Sequence, residues 1–269
     1  MKQIKLITLV LASLSPALFS SLALADLPSG DDIAKNINAR DEGIAVARNL
    51  RMEMIDRRGK SRVRETRAFR KYFGDEKRTA IFYLTPKNVK DTAFLTYDYE
   101  DHAVDDDQWL YLPAMRKVRR ISASDRGDYF LGTDFSYEDI KLETRVSIKD
   151  YTRKTIGEDE VDGVHCYLVE EKTIDTETAE ELGHLRRENC VDDAIWIVRK
   201  SVLWDLQNKP LKTIYFKEIS KVQGIWTAHK IEVENHKTGH HTTFTFSNVD
   251  YEKGVNDAVF TQGSLRRGL

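Results

Sequence analysis

The chain has 269 residues, of which 41% are hydrophobic and 32% charged, and its 42 basic and 44 acidic side chains give a formal net charge of −2. That length is enough for one substantial core, and the near balance of charge excludes a general nucleic-acid binder, which would be markedly basic. Only two cysteines occur, so a zinc site built on cysteine alone, which wants four, is excluded as well.

The first residues read as an export signal. Lys2 and Lys5 give a positive start, Leu6 to Leu14 is an apolar core, and Ala23-Leu24-Ala25 is an A-x-A cleavage site. The apolar run is short for a hydrocarbon layer of about 30 Å. Pro16 and the serines Ser13, Ser15, Ser20 and Ser21 weaken a membrane anchor further. The expected signal is residues 1–25, and residues 26–269 are expected to form a single domain. Cleavage removes two lysines and no acid, which leaves a formal net charge of −4. No cysteine follows the site, so the mature chain is not expected to be a lipoprotein itself. It also has no second apolar stretch near 18 residues, the length a membrane-spanning helix requires, to within a few residues,, and is not expected to span a membrane.

Ser29-Gly30-Asp31-Asp32 offers caps for a helix through Ile33 and Ile37 toward Arg40, with Gly43 beyond its end. Strand signals then dominate. Leu50, Met52 and Met54 alternate with Arg51, Glu53 and Ile55, a period of two. Asp56 to Gly59 is a turn, and Arg62 to Phe73 returns as a second strand. Gly74-Asp75-Glu76 turns into Arg78 to Leu84, which Pro86 stops, and Thr92 to Tyr99 is a fourth strand. The acidic turn from Asp98 to Asp107 lacks the ligand spacing of a calcium loop and reads as a solvated hairpin connection.

The stretch from Asp107 to Ile140 follows. Trp109-Leu110-Tyr111-Leu112 suits a pleated surface and stops at Pro113. A basic run, Arg116 to Ile121, leads through a polar turn to the aromatic segment Tyr129 to Phe135 and then Ser136 to Ile140. QWLYLPAMRKVRRI followed by FLGTDFSYEDI resembles the periplasmic outer-membrane lipoprotein-sorting proteins, relatives of the lipoprotein carrier LolA. The likeness runs from about Ala34 to Leu269. It includes GDEKRTAIFYLTPKNVKDTAFLTYDYED upstream and Gly224-Ile225-Trp226 downstream. The resemblance implies an open, strongly curved antiparallel sheet wrapped over helices, with an apolar hollow that suits acyl chains. It also implies a lipid or lipidated protein as partner, and an exporter of the resistance-nodulation-division type as a second one.

Further strands are expected at Val164–Glu170, Ala194–Trp204, Pro210–Ser220, Gly224–His236 and His241–Val249, the last two joined as a hairpin. Asp175 to Asp193, highly charged, reads as a loop or short helix between the cysteines. Cys166 and Cys190 suit one disulfide in an exported protein; the alternative is two unpaired thiols. About ten strands, a helix at the start and a second near Ser136 make a mainly β fold with a few helices and one curved antiparallel sheet, which the resemblance implies is an open half-barrel over helices.

The chain lacks GxSxG, HExxH and glycine-rich phosphate-loop sequences. His236, His240 and His241 could begin a metal site, but no further ligand stands at an obvious spacing, so no metal and no cofactor are expected. The candidate lipid-binding residues are Trp109, Tyr111, Phe130, Leu131 and Phe135. Arg119 and Arg120 match the resembling family's double-arginine position and are the candidates for an anionic head group, since Arg forks onto phosphate. The expected function is a non-enzymatic periplasmic carrier. The alternatives are an interaction module of an exporter with its hollow self-filled, and a hydrolase using carboxylates or histidine.

Overall fold

The computed structural model describes residues 27–99 and 104–269. The expected signal and its cleavage site lie outside these residues, as do Glu100 and Asp101 of the acidic turn. Thirteen antiparallel strands form one sheet that curves without closing. Strands β1 (Ala45–Ile55), β2 (Ser61–Phe73), β3 (Glu76–Thr85), β4 (Ala93–Asp98), β5 (Asp107–Leu112) and β6 (Lys117–Ile121) make one meander. Strands β7 (Tyr151–Val161), β8 (Val164–Thr173), β9 (Arg186–Asp192), β10 (Val198–Trp204), β11 (Pro210–Val222), β12 (Ile225–Asn235) and β13 (His240–Asp250) make the other. The two join in mid-sheet where β1 pairs with β13, Leu50 opposite Phe246 and Met52 opposite Phe244. β6 and β7 are therefore the two edges. The chain between them, residues 122–150, has to cross the whole sheet.

That crossing decides where the core sits. It carries helix α2 (Tyr137–Leu142), and it places Phe130, Phe135, Tyr137 and Ile140 against Leu50, Met52, Tyr83, Phe94, Ile231 and Phe244 on one face, here called the inner face. Phe130 is fully buried, edge-on to Phe94 at 5.0 Å and to Tyr137 at 5.4 Å. Burial of an aromatic side chain of this kind contributes roughly 1.5–3 kcal/mol. Helix α1 (Gly30–Asn38) covers the far end of the same structure with Ile33, Ala34 and Ile37 on Val169, Val191 and Val198. Its cap is as expected, Ser29 Oγ accepting from the Asp32 N–H. The outer face of β3 and β4 is covered by the C-terminal segment, where Phe260 and Leu265 of helix α4 (Gln262–Arg267) and the turn before it pack on Ala80, Phe82 and Leu95.

The charged segment between the cysteines resolves into helix α3 (Thr176–Leu182), capped by Asp175, and strand β9. Gly127 of the crossing segment donates to the Glu181 carbonyl at 2.8 Å, and a Cβ there would lie 2.4 Å from the Leu182 carbonyl carbon, so only glycine fits. Cys166 and Cys190 are bonded across β8 and β9, with their Cα atoms 5.3 Å apart.

Candidate functional site

The pleat decides which side chains reach the inner face, because successive residues of a strand point to opposite sides. Leu110 is packed with the inner-face cluster, while Trp109 and Tyr111 lie on the outer face beside Phe82, Leu95 and Phe260. Arg119 stands opposite Leu110 and so shares the inner side, exposed near the edge of the sheet. Arg120 stands opposite Trp109, and its Nε donates to Asp107 at 2.7 Å on the outer side. The expected site is therefore divided. Phe130, Leu131, Phe135 and Arg119 are brought together on the inner side; Trp109, Tyr111 and Arg120 are not.

Helix α2 is short and heavily charged, and its charges are paired with one another, with β11 and with the turn before β5. It begins with a capping box: Ser136 Oγ accepts from the Asp139 N–H, and the Asp139 carboxylate accepts from the Ser136 N–H. Asp139 also pairs with Lys212 of β11. Lys141 pairs with Asp106 and, at 2.9 Å, with Glu138. Glu143, just past the helix, takes a two-pronged contact from Arg48 of β1, both N–O distances being 2.7 Å. Burial alone would raise the Glu143 carboxyl, but Arg48 beside it holds it below the usual carboxylate range. A second cluster sits below, where Glu42 meets Arg70 at 2.9 Å and accepts from Tyr72 at 2.6 Å and Thr144 at 2.5 Å. Burial opposes the charge on Glu42, yet Arg70, Lys77 and Arg40 together hold its carboxyl far below the ordinary range. A third cluster joins Glu171 to Arg153 at 2.6 Å, to Arg187 and to Asn189 at 3.0 Å.

Between the sheet and α2 remains a hollow of about 70 Å³. Its wall is mostly apolar, from Leu50, Ile81, Phe135, Ile140, Ile231, Phe244 and Phe246 among others. Arg48, Glu143, Arg187 and Asn189 give it a polar side. The hydroxyls of Thr79 and Ser201, two further lining residues, are buried with no protein partner among the described residues. Sequence reading passed over this polar side. One signal was available: Arg48 stands in the same inward register as Leu50, Met52 and Met54, where a buried charge requires a partner. Arg187 and Asn189 gave none, since β9 carries no apolar alternation at that end.

Of the histidines considered for metal, His236 stands in the turn after β12, its Nε2 2.8 Å from the Thr213 hydroxyl, and His240 and His241 begin β13. No group of three or more His, Cys, Asp or Glu that could hold a metal ion occurs among the described residues.

The curved, unclosed antiparallel sheet with its helices is LolA-like in fold. A family model described as that of an uncharacterized protein matches residues 75–267, and the chain belongs to that DUF1329-like family. It is similar to a DUF1329 family protein from Desulfovibrio piger, with 29% identity and a TM-score of 0.80, over 88% of this chain and 97% of that one. It is also similar to a structure described as an outer membrane lipoprotein-sorting protein domain from Vibrio parahaemolyticus, with 27% identity and a TM-score of 0.79, over 88% and 98%. A LolA superfamily protein from Nitrosomonas europaea shares the fold at 17% identity and a TM-score of 0.66, over 88% and 99%. No curated protein matches the chain.

Proposed function

We propose that the protein is a non-enzymatic carrier or accessory protein that shelters a lipid, or the acyl chain of a lipidated protein, against the inner face of the sheet. In this reading it is exported to the periplasm, loses its signal after Ala25, and folds residues 26–269 as one unit. The observation that carries the reading is the hollow beneath α2, largely apolar and polar on one side, the composition expected of a site for an amphiphile. The likeness to the lipoprotein-sorting domain of Vibrio parahaemolyticus supports the class of cargo. Phe135 lines the hollow; Phe130 and Leu131 belong to the same crossing segment, and Arg119 is the head-group candidate on that side. Trp109 and Tyr111 support the strand from behind.

Volume sets a condition on the reading. About 70 Å³ is well short of the roughly 300–1,000 Å³ of sites that enclose whole small molecules. A chain of about 16 carbons, gaining roughly 0.8 kcal/mol per buried CH₂ before ordering costs, fits only if the crossing segment moves outward. The same filling favours one other reading, an interaction module of a resistance-nodulation-division exporter that carries no lipid.

The test is mass spectrometry of an organic extract of the periplasmic protein, together with displacement of a fluorescent fatty-acid probe. Ala68→Phe, which pushes a ring into the hollow, should weaken probe binding with the circular dichroism unchanged. Arg120→Ala, on the other side of the sheet, should leave it as it is. A wild-type protein that yields no lipid and binds no probe would sink the carrier reading in favour of the interaction module.

A further inference from the structure

The antiparallel order puts alternate turns at opposite ends of the strands, and it sorts charge as it does so. At one end lie the turns β1–β2, β3–β4 and β5–β6, neighbours along the rim because their strands are neighbours in the sheet. The first exposes Arg57, Arg58 and Lys60, the second Lys87 and Lys90, the third Arg116 and Lys117. Among the described residues none of these seven has an ion-pair partner. The acids there are Asp56 and Asp91, and the Asp56 carboxylate is engaged with the N–H groups of Arg58 and Lys60. At the other end, the turns β2–β3 and β4–β5 expose Asp75 and Asp105, with Glu76 and Asp106 beside them paired to Arg78 and Lys141. A chain of nearly balanced charge thus has one cationic rim and one acidic rim in this half of the sheet.

The cationic rim also displays apolar side chains. Met115 is 52% exposed on the β5–β6 turn and Leu84 is 42% exposed at the end of β3. Arg116, with a left-handed φ of 49°, turns the chain immediately after Met115, so the tip of the hairpin carries an apolar and a cationic side chain side by side. Cations on long flexible side chains, interleaved with apolar tips along one rim, match a membrane interface. The ammonium and guanidinium groups meet phosphates, and the apolar tips enter the boundary below them. An acidic protein or nucleic-acid face would engage the cations alone and leave the exposed Met115 and Leu84 without a counterpart.

We propose that this rim docks the protein on an anionic phospholipid surface, with the turns β1–β2, β3–β4 and β5–β6 facing the lipid head groups. The inference is independent of what the hollow holds.

The experiment is flotation of the full mature protein with phosphatidylcholine vesicles, with and without phosphatidylglycerol. Binding is expected only to the phosphatidylglycerol vesicles. It should weaken as salt shortens the screening length from about 10 Å at 0.1 M to about 3 Å at 1 M. The variant Arg58→Glu/Lys87→Glu/Lys117→Glu should bind at least about tenfold more weakly, since each surface cation contributes separately. Met115→Ser should weaken binding at constant charge, and Lys221→Glu, at the opposite strand ends, should not change it. Ala68→Phe should float like wild type, which separates this result from the fate of the carrier reading. Equal flotation of the wild type and the triple variant would overturn the proposal. So would full binding by Met115→Ser combined with equally tight binding to polyglutamate, which would assign the rim to an acidic protein face.

Discussion

The pair Arg48–Glu143 offers the sharpest test of how the crossing segment is held. The Arg48 side chain is 6% exposed and that of Glu143 is 17% exposed. The guanidinium also lies 4.2 Å from the centre of the Phe246 ring. Removing one partner of a buried pair leaves an uncompensated charge and costs about 3–5 kcal/mol, whereas replacing both with apolar residues is often close to neutral. Glu143→Ala should therefore lower stability by about 3–5 kcal/mol, which for a chain of this size is a fall in Tm on the order of 10 °C. Alanine keeps the left-handed backbone of Glu143, φ 56°, so the strain at that position is the same in both proteins. The double variant Arg48→Leu/Glu143→Leu should recover most of the loss. Urea unfolding of the three proteins at pH 7, followed by circular dichroism, measures both steps. A single variant costing less than about 1 kcal/mol, or a double variant no better than the single, would refute the view that the paired charges fasten the segment.

Two other expectations follow from buried groups. His184 donates from Nδ1 to the Leu182 carbonyl at 3.0 Å, and its Nε2 lies 2.8 Å from the Tyr151 hydroxyl, which can donate to the neutral ring. Burial, with Arg187 and Lys212 nearby, lowers its pKa from 6.5 to about 4. The unfolded chain thus binds the extra proton first. Stability is complete above pH 6.5 and is lost as pH falls toward 4, by about 3 kcal/mol at most. His184→Gln should remove that dependence, and a wild-type-minus-variant difference that stays flat from pH 6.5 to 4.5 would contradict it. The Cys166–Cys190 bond should leave no alkylatable thiol without reductant, and Cys166→Ser/Cys190→Ser should cost about 2–4 kcal/mol in the same urea assay; free thiols in the protein isolated without reductant would rule the bond out.

Strands with one apolar face were legible from the sequence because alternation reports burial on one side. β1, β12 and β13 were readable in this way, and α1 and the start of α2 were marked by Ser29 and Ser136. β6, β7 and β9 were not recognised as strands. β6 and β7 are edges, whose residues alternate between exposed and half-buried rather than between apolar and polar. β9 turns Arg187 and Asn189 inward to Glu171, and its buried run Asn189–Asp192 mixes polar and apolar residues without alternation. For the site, alternation separated Trp109 and Tyr111 from Leu110 and Leu112, but no local pattern tells which side of a sheet a distant segment will cover. That choice was made by residues 122–150, whose path depends on β6 and β7 being opposite edges.

The chemistry of the fastening bears on what the crossing segment can do. An entirely apolar segment would gain free energy from every contact with the sheet and expose apolar surface on leaving. The segment instead pairs Glu138, Asp139 and Lys141 of α2, and Glu143 just past it, with partners that include Lys212, Asp106 and Arg48. Buried pairs are poor sources of net stability, because what attraction supplies, desolvation largely takes back. When such a segment moves outward, its charges regain water and the loss is smaller than geometry alone suggests. The apolar residues on the same segment, Phe135 and Ile140, do lose their partners, and an acyl chain entering the hollow would replace those contacts in kind. Under the carrier reading, then, the polar contacts fix the position of the closed segment, while exchange of Phe135 and Ile140 for lipid makes opening affordable. A self-filled interaction module has no use for the charges and would be more stable with apolar residues in their place. The Arg48→Leu/Glu143→Leu variant decides between them: under the carrier reading it stays close to wild type in stability yet takes up the fatty-acid probe more slowly. Probe uptake at the wild-type rate would remove this argument for a segment built to move.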